Sequence, residues 1–269
     1  MSDVVILGAG VGETLIVHEV PPQMLKADRV TLIRQDKHYQ FVPSNLWVAV
    51  GWRDRTDSEV DLSGIMQRKG IRHLTQGARR VDPDARHIEL NGGGTVVYGY
   101  LGIATGPGLA FDDIEGLGPD AFTQSICHID RTTQAHAVFE ARCRNPGPIM
   151  VGLVQGTICF GPANDFAFVL DIERRKRRVR DRVKMTFVTP DPYIGHLGLD
   201  GVGDTKSLMD SELRNRHIGW VTNARVQRVT QNAGSVEAVD DNGIPRKTRE
   251  LPDHFVMRRL DIEKLKAVE

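Results

Sequence analysis

The sequence predicts an α/β chain of two Rossmann-like, dinucleotide-binding domains, and three observations carry that reading. The apolar run Val4-Val-Ile-Leu7 ends in Gly8-Ala-Gly10-Val-Gly12, the order of a buried parallel strand followed by a phosphate-binding turn. A second apolar run, Ile149-Met-Val-Gly-Leu-Val154, is followed by a glycine at 156 and a helix expected to begin near Pro162, a favoured first helical position. Between the two, Arg144-Asn-Pro-Gly-Pro148 has the composition of a linker. The expected division is a first domain at 1–147, a second at 148–252, and a charged, amphipathic helical tail at 253–269.

In order along the chain, Val30-Thr-Leu-Ile33 is the second strand, so residues 4–33 form a βαβ unit whose helix Pro21 and Pro22 would end near Val20. Residues 71–110 read as further short strands with a turn at Asn91-Gly-Gly-Gly94. In the second unit Ala163, Phe166, Ala167 and Leu170 recur at i, i+3, i+4, i+7, which puts them on one helical face. Met185-Thr-Phe-Val-Thr189 is the next strand. Residues 218–251 alternate as short strands, with a turn at Asp241-Asn-Gly243.

The chain has 269 residues and a 40% hydrophobic fraction, enough for two cores. Lys+Arg and Asp+Glu both number 35, which excludes a bulk attraction to nucleic acid. Three cysteines, Cys127, Cys143 and Cys159, make neither a disulfide framework nor zinc-site spacing, so no metal is expected and a reducing, cytoplasmic setting is. No secretory signal and no membrane-length apolar run is visible. Residues 174–184 carry eight basic residues of eleven, read as the solvated end of the preceding helix.

Gly8 and Gly10, with Gly12 beyond them, let a backbone approach a pyrophosphate, and the helix start offers it N–H groups. The usual third glycine is replaced by Glu13. The acidic ribose ligand expected after the second strand is absent, and Arg34 follows Ile33 instead. Arg34 is a candidate phosphate ligand, with a solvated arginine as its plainer reading. Cys159 stands just before a helix, where a thiolate is stabilised.

Phe41-Val-Pro-Ser-Asn45, Tyr100-Leu-Gly-Ile-Ala-Thr-Gly-Pro107, Ser125-Ile-Cys127, Cys159-Phe-Gly-Pro-Ala163 and Ile194-Gly-His-Leu-Gly198 follow one another in this order. Together they resemble the sulfide:quinone oxidoreductases, FAD enzymes with two dinucleotide-binding domains, over about residues 3–252. The resemblance implies FAD as cofactor and sulfide and quinone as substrates. It implies FAD contacts at Gly8, Gly10, Gly12, Arg34, Pro43, Ser44, Thr105 and Gly106. Cys159 matches one member of the family's redox pair and Cys127 its additional cysteine near the flavin. His196 matches a sulfide-site histidine. Asp165 stands in place of a glutamate, Arg131 in place of a histidine and Gly108 in place of a lysine. The family's remaining FAD-domain segments, partner cysteine and membrane-gripping helices have no match here. A shortened member is therefore expected, with an incomplete FAD domain, weakened flavin retention and lost peripheral membrane contact. Two other readings stay open. One is a type II NADH dehydrogenase-like flavoprotein using Gly152 and Gly156 for a nicotinamide. The other is an inactive nucleotide-binding or interaction protein.

Overall fold

The structure is a computed structural model that describes residues 2–8, 10–19, 27–239, 244–252 and 255–256. Two compact units emerge. Among the described residues, one gathers 2–41 and 56–108, and the other 42–55 and 109–256.

The first unit is built on a parallel sheet of β1 (Asp3–Gly8), β2 (Arg29–Ile33), β5 (Arg72–Leu74) and β9 (Tyr100–Ala104), in the order β5-β2-β1-β9. This is the Rossmann order, with its switch point between β1 and β9. Side chains alternate across the sheet as the strand period demands. Val5, Leu7 and Ile33 pack with Val81, Ile88, Leu90 and Val96, which belong to an antiparallel sheet of β6 (Ala78–Asp82), β7 (His87–Leu90) and β8 (Thr95–Val97). Ile6, Val30 and Leu32 face the other way, onto Val17 of α1 (Val11–Glu19) and Met66 of α3 (Ser63–Arg68). A small antiparallel pair, β3 (His38–Gln40) with β4 (Glu59–Asp61), completes the unit. The described helix α1 ends at Glu19; the proline pair expected to stop it lies outside the described residues.

The second unit repeats the plan. Its five-stranded parallel sheet runs β10 (Thr123–Gln124), β17 (Phe255–Val256), β11 (Ile149–Gly152), β12 (Met185–Val188), β13 (Ile218–Val221). One face carries α4 (Ile129–Arg144), α5 (Gly161–Lys176), α6 (Thr205–Asn215) and the short α2 (Asn45–Ala49), joined in one apolar core. The four residues expected on the buried face of α5, Ala163, Phe166, Ala167 and Leu170, are all buried there. The other face packs on β14 (Ala224–Val229) and β15 (Ala233–Val239) through Met150, Val188, Val226 and Val236, and β16 (Pro245–Pro252) closes that antiparallel sheet.

Three expectations are corrected. Phe255–Val256, placed at the start of a helical tail, form a strand between β10 and β11; residues 257–269 and the turn at 241–243 lie outside the described residues. The segments 42–55 and 109–147 cluster with the second unit, because α2 and α4 share its core and β10 joins its sheet. The basic run is not a uniformly solvated helix end. Arg180 is buried, its Nε donating to Asp171 Oδ1 at 2.6 Å and its Nη1 to Val183 O at 2.7 Å. Arg174 is 1% exposed between the helices, and burial pushes its pKa down to about 10. Arg175, Lys176 and Arg178 remain at the surface.

Candidate functional site

In the first unit the glycine turn closes tightly on β9. A Cβ on Gly8 would lie 2.4 Å from the carbonyl oxygen of Ala104, and one on Gly12 would lie 3.2 Å from the Ala104 Cβ. Gly8 cannot carry a side chain without displacing β9, and α1 begins at Val11 directly behind the turn, with Thr14 Oγ1 donating to Gly10 O at 2.9 Å. The residues present fit the pyrophosphate of a dinucleotide: a side-chain-free approach ending on a helix N-terminus. Thr105 and Gly106, the latter with φ +72°, follow directly from β9 at the same switch point. The Glu13 side chain lies outside the described atoms.

Arg34 departs from the expected solvated arginine. It is 2% exposed, its backbone N–H donates to Leu74 O at 2.8 Å, and its Nη2 donates to His38 O at 2.5 Å. Position explains this, since β5 and β3 both pack beside the end of β2. His73 has its pKa held down by its own burial and then by the Arg34 charge.

The second unit gathers the two cysteine segments around one core. Ile126, before Cys127, and Phe160, after Cys159, both belong to the apolar cluster under the helical face. Asn45 pins the first of them: its Nδ2 donates to Ile126 O at 2.8 Å, fully buried and 81 residues away in sequence. The turn holding Pro43 and Ser44 leads directly into α2, so this motif and the Cys127 segment are one structural piece. Replacing Asn45 with Ala would strand the Ile126 carbonyl. We expect a loss of about 1–3 kcal/mol, read as a lower unfolding midpoint, together with faster alkylation of Cys127.

The Cys159 loop is held at several points. The Gln155 amide pairs with the Val226 backbone in both directions, at 2.9 and 3.0 Å. Thr157 Oγ1 donates to Val154 O at 2.8 Å, and Asn164 Nδ2 to Phe160 O at 3.0 Å. Cys159 then sits two residues before the first residue of α5. The His196 loop is packed against it: a Cβ on Gly198 would lie 2.6 Å from the Phe160 ring. The structure thus brings together the two narrow sequence blocks, Cys159-Phe-Gly-Pro-Ala163 and Ile194-Gly-His-Leu-Gly198. His196 Nδ1 lies 3.0 Å from Oδ1 of the buried Asp191, whose pKa is raised by burial against the downward pull of His196.

Asp165, on the first turns of α5, has its carboxyl pKa pushed up by partial burial. A carboxyl raised on folding favours the protonated folded state. Its contribution to stability is therefore greatest below the unfolded pKa and is lost as pH rises through the folded value. Asp165→Asn should melt slightly higher than the parent at pH 7, and the gain should vanish below about pH 3.5, where free aspartate is itself protonated. Paired melting curves across that range check it. Cys143 is partly buried against the core, and burial pushes its thiol pKa up. Arg131 forks onto Asp120 at 2.6 and 2.7 Å.

Sequence reasoning missed Asn45, Gln155 and Asp191 as site residues. Each acts through a contact distant in sequence or through a loop fold, and only the proximity of Asp191 to His196 carried a local signal.

No family model matches the chain. The sulfide-quinone reductase of Aquifex aeolicus is 33% identical over 254 residues, 94% of this chain and 57% of that protein. The mitochondrial sulfide:quinone oxidoreductase of Dictyostelium discoideum is 25% identical over 193 residues, 70% of this chain and 42% of that one. The crystal structure of the Aquifex aeolicus sulfide:quinone oxidoreductase superposes with a TM-score of 0.88 at 32% identity, covering 97% of this chain and 59% of that one. NDH2 of Plasmodium falciparum, solved with NADH, shares the fold at a TM-score of 0.76 and 15% identity, over 95% of this chain and 54% of that one. The class so defined is that of flavoprotein oxidoreductases with paired Rossmann-type units. Within it, by sequence and by fold, the chain is similar to the sulfide:quinone oxidoreductases, and it spans somewhat over half the length of the Aquifex aeolicus relative.

Proposed function

We propose that this chain carries the sulfur-handling half of an FAD-dependent sulfide:quinone oxidoreductase. The observation that carries the reading is the packing of the Cys159 segment on the His196 loop through Phe160 and Gly198. FAD is the proposed cofactor, with its pyrophosphate on Gly8, Gly10 and Gly12 and further contacts from Thr105 and Gly106. By this reading the first unit binds the FAD pyrophosphate, and the second is the further dinucleotide-type domain. When bound, the flavin supplies a two-electron acceptor, and a quinone is the proposed final oxidant. Arg34 stays a candidate contact in this reading, buried with its Nη2 donating to His38 O.

The Cys159 thiolate forms one sulfur–sulfur bond with sulfide. Two electrons leave and the sulfide proton is released. His196 is the proton carrier, since an imidazole changes charge near neutral pH. Asp165 is a second, acidic group, on the helix that follows Cys159. Cys127, held by the Asn45–Ile126 bond, is the proposed additional thiol at the flavin. A cytoplasmic setting accompanies this reading; among the described residues no helix is long and apolar enough to cross a membrane.

The test is anaerobic addition of sulfide to the chain supplied with FAD. The flavin absorbance should fall in the parent and persist in Cys159→Ser. Bleaching by NADH without any response to sulfide would instead favour the NADH dehydrogenase-like reading, and failure to hold flavin at all would favour the inactive nucleotide-binding one.

A further inference from the structure

Asp191 is a buried carboxylate that the sequence reading assigned no role. It follows β12 in a loop that fixes its backbone twice: its N–H donates to Thr189 Oγ1 at 3.2 Å, and its carbonyl accepts from the Asn223 N–H at 2.8 Å. With the main chain held, the carboxylate faces the His196 imidazole, Oδ1 to Nδ1 at 3.0 Å, with the Asp191 side chain 7% exposed.

The His196 loop is itself rigidly built. Leu197 and Asp200 take left-handed φ values of +57° and +61°, a conformation rarely adopted without compensation, and Gly195 and Gly198 are left-handed beside them. A Cβ on Gly195 would lie 2.5 Å from Thr205 O, and Thr205 Oγ1 donates to Gly195 O at 2.8 Å, so the loop is seated on the start of α6. The Tyr193 ring stands edge-on to the imidazole at 5.1 Å, its hydroxyl donating to Asp200 O at 2.8 Å.

We propose that Asp191 is the positioning residue of His196: it accepts the Nδ1 proton and so leaves Nε2 as the nitrogen that exchanges protons. The inference rests on the reading of His196 as proton carrier. One group competes. The Gly198 N–H lies 3.2 Å from the same Nδ1 and would favour the opposite tautomer. A bond to an ionised carboxylate is about twice as strong as one between neutral groups, and the Asp191 contact is also the shorter, so the carboxylate decides the tautomer. The remaining charged groups around the ring are Asp200, whose Oδ1 is 3.6 Å from Nε2 and almost fully exposed, and Lys206, whose Nζ lies 5.2 Å from the Tyr193 ring. Asp200 is in water and screened, so Nε2 faces the side open to exchange.

The experiment is side-chain nitrogen NMR of histidine-labelled chain at a pH where His196 is neutral, with His196→Gln to assign the signal. The parent should show the proton on Nδ1. Asp191→Asn, which keeps an acceptor oxygen, should retain it, and Asp191→Leu should move it to Nε2. An Nε2–H tautomer in the parent overturns the proposal, and so does an unchanged tautomer in Asp191→Leu. If the leucine variant does not fold, a switch to Nε2–H in Asp191→Ser, too short to reach Nδ1, serves as the same arm. A correct tautomer combined with full sulfide response in His196→Gln would leave the Asp191 assignment standing and remove the proton-carrier role instead.

Discussion

Gly152→Ala should unfold or severely loosen the second unit. A Cβ on Gly152, the last residue of β11, would lie 1.9 Å from Val188 O and 2.8 Å from Val188 C and N. These are backbone atoms of the adjacent strand, so no side chain can swing away; β11 and β12 must separate. Overpacking costs typically 1–3 kcal/mol, and a backbone clash belongs at the top of that range, about 3 kcal/mol. For a domain of this size that lowers the melting temperature by roughly 6–12 °C. The loop that bears Cys159 leaves β11 at this residue, so the cysteine should also lose its setting. Gly161→Ala is the control, because a Cβ there meets nothing within 4 Å. Thermal melts and limited proteolysis of both variants decide the matter. Equal stability of the two would show that the strands yield more easily than the geometry allows.

Cys159→Ser should abolish the reaction with sulfide, by about 10⁴-fold or more, the scale on which removal of a catalytic nucleophile acts. Serine keeps the size and the hydrogen bonding but not the thiolate. Cys143→Ser should leave the reaction intact, because burial pushes the Cys143 thiol upward and its side chain packs against the core. Site-resolved alkylation offers a second view: at neutral pH Cys159 should label faster than Cys143.

Much of the architecture was legible because it is local. Strands β1 and β11 carry unbroken apolar runs and those of β2 and β12 are interrupted only by Thr31 and Thr186, as strands buried on both faces require, and α5 declares itself by helical spacing and by Pro162 near its start. The glycine turns were legible too, since only glycine tolerates the approach of Ala104 to Gly8 or of Val188 to Gly152. What escaped depends on partners distant in sequence. A two-residue strand such as Phe255–Val256 has no periodicity of its own and exists through its neighbours in the sheet. Arg174 and Arg180 read as part of a solvated basic run, yet Asp171 on the preceding turns draws Arg180 inward and the α4–α5 interface covers Arg174. Asn45 looked like one letter of a motif, whereas its work is to hold a carbonyl 81 residues away. Arg34 looked exposed because arginine usually is, and it is buried by strands that close over it from elsewhere in the first unit.

The measurement closest to the central claim is mass spectrometry of the chain after incubation with sulfide, FAD and a soluble quinone, with peptides resolved around each cysteine. Added sulfur should appear on the Cys159 peptide, be removed by a thiol reductant, and be absent when FAD and the quinone are both withheld or when His196 is replaced by Gln. No added sulfur on Cys159, or equal addition on Cys143, would contradict the assignment of Cys159 as the sulfur-handling residue.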